Sequence, residues 1–181
     1  AVWTLHMANN LEELELAKRT ISFEELLELV LAGLVIKKNI KEFSAQPISY
    51  QPQVAKEFVA QLPFDLTPAQ KKSAHTILEN LDNSKPMNRL LEGDVGSGKT
   101  LVALMACVMV ARAGQQSALM VPTEILARQH FNNSLDLLNS LGINTALLIS
   151  DMKKPDRTRV LEDLKAGKID CIIGTHALIS K

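Results

Sequence analysis

At 181 residues, 46% of them hydrophobic and with 20 basic against 20 acidic side chains, the chain can bury a core but lacks the basic field that announces nucleic-acid binding by charge alone. Its longest apolar run, Leu101 to Ala111, is far short of the roughly 20 residues a membrane span needs. The opening AVWTLHMANN has no basic start and no small-residue cleavage site, so a cytoplasmic protein is expected.

The first sixty residues differ from the rest. Ser22-Phe23-Glu24-Glu25 fits a capping box, and Phe23, Leu26, Leu27, Val30, Leu31 and Leu34 fall on one helical face, which predicts a helix starting at Ser22 and ending between Gly33 and Lys38. Residues 39 to 62 lose periodicity. Pro47 and Pro52 interrupt them and Pro63 follows, leaving a connecting segment with one short helix near Val54 to Ala60. Residues 1–61 are therefore expected to be a helical linker and 62–181 a separate domain.

From Thr67 the pattern becomes regular. Thr67-Pro68-Ala69-Gln70 places Thr at the N-cap, Pro at the first helical position and Gln at the third, for a helix running to about Leu81. Arg89 to Glu92 reads as a short strand and Lys99 to Ala113 as a helix, apolar all round and stopped by Gly114. Strands follow at Ser117 to Val121, Thr145 to Ile149 and Asp170 to Ile173. Between them lie helices at Thr123 to Leu141 and Pro155 to Ala166, ended by Gly142 and Gly167. This alternation predicts an α/β fold with a parallel sheet covered by helices on both faces. Cys107 and Cys171 sit in apolar runs without metal-ligand spacing and read as small buried hydrophobes.

Gly93-Asp94-Val95-Gly96-Ser97-Gly98-Lys99-Thr100 matches the phosphate-loop pattern G-x-x-x-x-G-K-[ST] in full. Glycines let successive N–H groups turn toward phosphate oxygens, and the following helix adds the positive end of its dipole. Lys99 would reach the β and γ phosphates of ATP, and the Thr100 hydroxyl would coordinate Mg²⁺. A chain this long shows the pattern by accident about once in 150, so the strand before it and the helix after it add weight. Gln70 has two readings at this point: it closes the capping box with Thr67, or its amide pairs with the edge of adenine.

The stretches LPFDLTPAQ (62 to 70), PMNRLLEGDVGSGKT (86 to 100), ALMVPTEILARQH (118 to 130) and IIGTHALIS (172 to 180) resemble successive motifs of the RecG-type bacterial DNA helicases of superfamily 2. LHMANNLEELELAKRTISFEELLELV, near the N-terminus, is similar to the segment joining that family's DNA-binding wedge to its motor. The resemblance implies a linker followed by most of a first RecA-like motor lobe, a P-loop NTPase fold. It also implies a monomeric parent that couples ATP hydrolysis to movement on duplex DNA and remodels stalled forks and Holliday junctions. It places Gln70 on adenine, and it places Pro122, Thr123, Gly174, Thr175 and His176 on DNA phosphates, with Arg128 as an added contact. Thr123 also suits an N-cap, and His176 has no triad partner nearby. The related motor of the transcription-repair coupling factor and a non-motor P-loop kinase or switch are the alternatives.

Two features depart from the family. Ser150-Asp151 stands where the family usually carries Thr-Gly, which sets a carboxylate against DNA phosphate. No Asp-Glu pair follows an apolar run to hold Mg²⁺ and position water, Asp151 being the only stand-in and Met152 filling the place of the acid. The resemblance places that pair just past Lys181, together with a second lobe and wedge outside this sequence, so the chain by itself is expected neither to turn over ATP nor to unwind DNA.

Overall fold

The computed structural model describes residues 1–179, with only the backbone at 37 and 39–42; Ser180, which closes the fourth quoted stretch, lies outside the described residues. Two compact units divide the chain, Ala1–Ala45 and Gln46–Lys181.

The first unit holds α1 (Val2–His6) and α2 (Leu11–Glu42). Ser22 is interior to α2, so the expected cap there is corrected. The helix starts instead at Asn10, whose Oδ1 accepts the Glu13 N–H at 2.8 Å while the Glu13 carboxylate accepts the Asn9 N–H at 2.9 Å. The Leu, Glu, Ala, Lys and Arg residues from Leu11 to Arg19 are strong helix formers, so nothing halts propagation through Ser22. Gly33 costs only about 1 kcal/mol inside a helix, and α2 runs past the expected stop to Glu42.

In the second unit Pro52 opens α3 (Pro52–Ala60), which buries Val54 and Phe58. The Thr67 capping box forms as read: Thr67 Oγ1 accepts the Gln70 N–H at 3.2 Å and Gln70 Oε1 accepts the Thr67 N–H at 2.8 Å, starting α4 (Pro68–Leu81). Next comes α5 (Lys99–Arg112), in contact with α3, α4 and β1 (Ser117–Met120). Its all-apolar sequence now has a cause. Val102, Leu104, Met105, Cys107, Val108 and Met109 are all buried, in one core with Phe58, Leu78, Leu138 and Ile173.

The chain continues through α6 (Glu124–Ser140), β2 (Thr145–Leu148), α7 (Lys154–Lys165), β3 (Cys171–Gly174) and a 3-10 turn at His176–Leu178. The sheet is parallel with order β1-β3-β2, pairing Ser117 with Cys171 and Thr145 with Cys171. All four residues of β3 are buried and alternate faces: Cys171 and Ile173 join the α5 core, while Ile172 packs with Leu148, Ile169 and Met152. A hydrogen bond to Cys107, with burial behind it, pushes the Cys171 thiol above its ordinary pKa, which keeps it a protonated packing group.

One expected strand is missing from the sheet. Residues 89 to 92 pair with no strand among the described residues; Leu91 packs against the core while Leu90 is 83% exposed. A short apolar run can suggest a strand, but a strand's hydrogen bonds must come from a neighbour.

Candidate nucleotide site and sheet edge

The phosphate loop leaves the core at Leu91 and rejoins it at α5. Ser97 N–H turns back to the Asp94 carbonyl at 3.2 Å, and Gly96 and Gly98 both adopt φ of 81°, a left-handed angle that any side chain would strain. The N–H groups of Gly96, Gly98, Lys99 and Thr100 donate to no protein acceptor among the described residues. Four unused donors at a helix N-terminus, with the dipole behind them, suit an anion.

Lys99 Nζ donates to the carbonyls of Gly93 and Asp94, both at 2.7 Å, and lies 3.5 Å from Ser97 Oγ. The ammonium is thus folded onto its own loop. Gln70 also reaches the loop: beyond the capping box, its Nε2 donates to the Ser97 carbonyl at 2.9 Å, tying the start of α4 to the phosphate loop. One Nε2 hydrogen and one Oε1 lone pair remain, so the capping box and a contact with adenine are compatible. A Cβ on Gly98 would come within 2.5 Å of that Nε2, and one on Gly93 within 2.7 Å of Ser97 Oγ.

A cleft of about 360 Å³ opens beside the loop, lined by Gln70, Gly93, Gly96, Ser97 and Lys99 and by residues the motif did not single out: Thr67, Ala69, Ser73, Leu91, Glu92 and Val102. Val95 is fully exposed at the loop tip, Gly98 caps α5, and Thr100 is half-buried in its first turn. Asp94 contributes its carbonyl to Lys99, and its side chain does not line the cleft. Side-chain-free glycines, unused N–H donors and a lysine ammonium match the chemistry of a polyphosphate. No group of three or more His, Cys, Asp or Glu side chains gathers to hold a metal among the described residues. The Thr100 hydroxyl could serve as a ligand to a Mg²⁺ ion that accompanies the phosphates.

The remaining candidate residues meet at the carboxyl edge of the sheet. Met120 and Leu148 both pair with Gly174, and the Val121 N–H donates to the Gly174 carbonyl at 2.9 Å, so segments 121–123, 149–151 and 175–176 leave the same edge. Pro122 and Thr123 are exposed there. Thr123 Oγ1 accepts the Leu126 N–H at 3.3 Å as the cap of α6, which leaves its own O–H free to donate outward. Gly174 has a packing reason of its own: a Cβ there would collide with the Leu148 carbonyl oxygen. Thr175 is 6% exposed, and His176 is exposed at the start of the 3-10 turn.

Arg128 Nη2 lies 3.8 Å from Asp151 Oδ2. Asp151 does not line the cleft, and Met152 is an apolar packing residue. Glu124, which the family resemblance groups with Pro122 and Thr123 in one motif, accepts the N–H groups of Ser150 at 2.9 Å and Asp151 at 3.1 Å. The bond spans 26 residues, so nothing local in the sequence signals it.

A phosphate loop seated between an apolar run and a buried helix, beside a parallel sheet, defines a P-loop α/β domain. The chain belongs to the DEAD/DEAH box helicase family, which matches residues 67–181. It is similar to the ATP-dependent DNA helicase RecG of Thermotoga maritima, 40% identical over 181 residues covering 100% of this chain and 23% of the relative. The RecG of Staphylococcus aureus is 46% identical over 179 residues, 97% of this chain and 26% of the relative. A solved structure of RecG bound to a three-way DNA junction superposes with a TM-score of 0.81 at 42% identity, covering 93% of this chain and 23% of that one. The chain thus spans about a quarter of the length of the curated relatives it matches. Among the described residues no helix is long and apolar enough to cross a membrane.

Proposed function

We propose that this chain is the nucleotide-binding part of an ATP-dependent DNA helicase that remodels branched DNA, comprising a helical linker and, from residue 62, most of the first motor lobe. One observation carries the reading: four unpartnered N–H groups, from Gly96 to Thr100, stand at the start of α5 beside the Lys99 ammonium. The RecG relatives, one of them solved on a three-way junction, point to DNA as the substrate.

ATP supplies a transferable phosphoryl group whose charge Mg²⁺ shields. The N–H groups of Gly96, Gly98, Lys99 and Thr100 orient the phosphates, and Lys99 exchanges the Gly93 and Asp94 carbonyls for phosphate oxygens. The Thr100 hydroxyl would serve as a ligand to the metal. Gln70 meets adenine with the amide hydrogen and lone pair that its bonds to Ser97 and Thr67 leave unused. At the sheet edge Pro122, Thr123, Gly174, Thr175, His176 and Arg128 hold strand phosphates, contacts that position DNA without reading its sequence. The protein acts as a cytoplasmic monomer.

A polypeptide joining this segment to a second motor lobe and a wedge tests the reading. Its ATP hydrolysis, followed by phosphate release, should rise severalfold when forked DNA is added. Equal rates with and without DNA would support a non-motor P-loop enzyme instead.

A further inference from the structure

Three charged side chains stand together at the sheet edge. Glu124 and Arg128 lie one turn apart on α6, and Asp151 follows β2. The Glu124 carboxylate is fixed by two N–H donors, from Ser150 at 2.9 Å and Asp151 at 3.1 Å, which pins the turn after β2 against α6. The pinned turn presents the Asp151 carboxylate to Arg128 at 3.8 Å, in a pair whose side chains are 51% and 83% exposed. A phosphodiester arriving here meets two carboxylates and one guanidinium that is already engaged.

We propose that Asp151 gates this edge: it withholds Arg128 from nucleic acid, and a DNA strand engages by putting a phosphate oxygen where the Asp151 carboxylate was. The inference rests on the DNA reading above and specifies how strand contact is regulated within it. An ion pair this exposed is weak, so the exchange is easy and Asp151 sets the threshold for binding without blocking it. Phosphate can also displace Asp151 because it can bring two oxygens to hydrogen-bond distance of the planar guanidinium, whereas the Asp151 carboxylate stands 3.8 Å away. Glu124 is a positioning residue: held by two backbone donors, it keeps Asp151 in reach without swinging toward the strand itself.

The test is a double-mutant cycle on the whole chain, with fluorescence anisotropy of a labelled DNA fork at low and at high salt. Asp151→Asn keeps the shape of the side chain and removes its charge. With Arg128 present it should tighten binding about three- to fivefold at low salt, the upper part of what an exposed ion pair converts to, and the gain should shrink at high salt. In the Arg128→Ala background the same change should give less than about twofold, since the partner it releases is gone. Equal gains in both backgrounds would reduce Asp151 to general charge repulsion and overturn the gate. So would wild-type binding that depends on Arg128 yet ignores Asp151→Asn. If none of the four proteins binds the fork, the DNA reading fails and takes the gate with it.

Discussion

Replacing Lys99 with Ala should weaken nucleotide binding about 100-fold, because the ammonium's charge-assisted hydrogen bonds to phosphate contribute roughly 1.5 kcal/mol each and two are lost. The lower end of the usual range applies because Lys99 is half-buried rather than enclosed. The fold should survive. Lys99 bonds its own loop alone, at the Gly93 and Asp94 carbonyls and more distantly at Ser97 Oγ, all on exposed residues that water can reach. Titration of a fluorescent ADP checks affinity, and urea unfolding checks the fold. A variant that kept affinity within twofold would remove Lys99 from the site.

Gly174→Ala should lower stability by about 3 kcal/mol, at the upper end of what overpacking a core costs. The added Cβ would overlap the Leu148 carbonyl oxygen and lie 3.1 Å from Leu178 Cγ. Neither can retreat easily: β3 is the central strand, buried along its length, and Leu148 is paired to Gly174 in the register. The midpoint of urea unfolding, read by circular dichroism, should fall sharply. An unchanged midpoint would mean that β2 and β3 are not as close as described. The result bears on function as well, since it separates a packing demand at Gly174 from any contact with DNA.

What the sequence made legible was local. The Thr67-Gln70 box, the glycine stops at 114, 142 and 167, and the buried character of α5 were all readable because their causes lie within one helix or turn. Ser22 misled because the same capping grammar occurs earlier at Asn10, and good helix formers join the two, so the upstream signal takes the start. Residues 89 to 92 hold a short apolar run ahead of the loop but gain no partner in the sheet, which a local pattern cannot report. The order β1-β3-β2 was equally beyond reach. At the site the motif marked out the glycine turn and the start of α5. The ties that control it, Gln70 to Ser97 across 27 residues and Glu124 to Ser150 across 26, became visible only when the fold brought them together.

Whether the backbone around Gly96 and Gly98 closes on polyphosphate is read most directly from its own amides. Amide ¹H–¹⁵N spectra of the chain, recorded while Mg·ADP is added, should show the largest shifts at Gly96, Gly98, Lys99 and Thr100, the four donors that lack a protein acceptor. Smaller shifts should appear at Gln70 and Ser97, whose bond borders the cleft. Loop amides that stay unmoved at saturating nucleotide, while signals elsewhere shift, would contradict a phosphate-binding role for this turn.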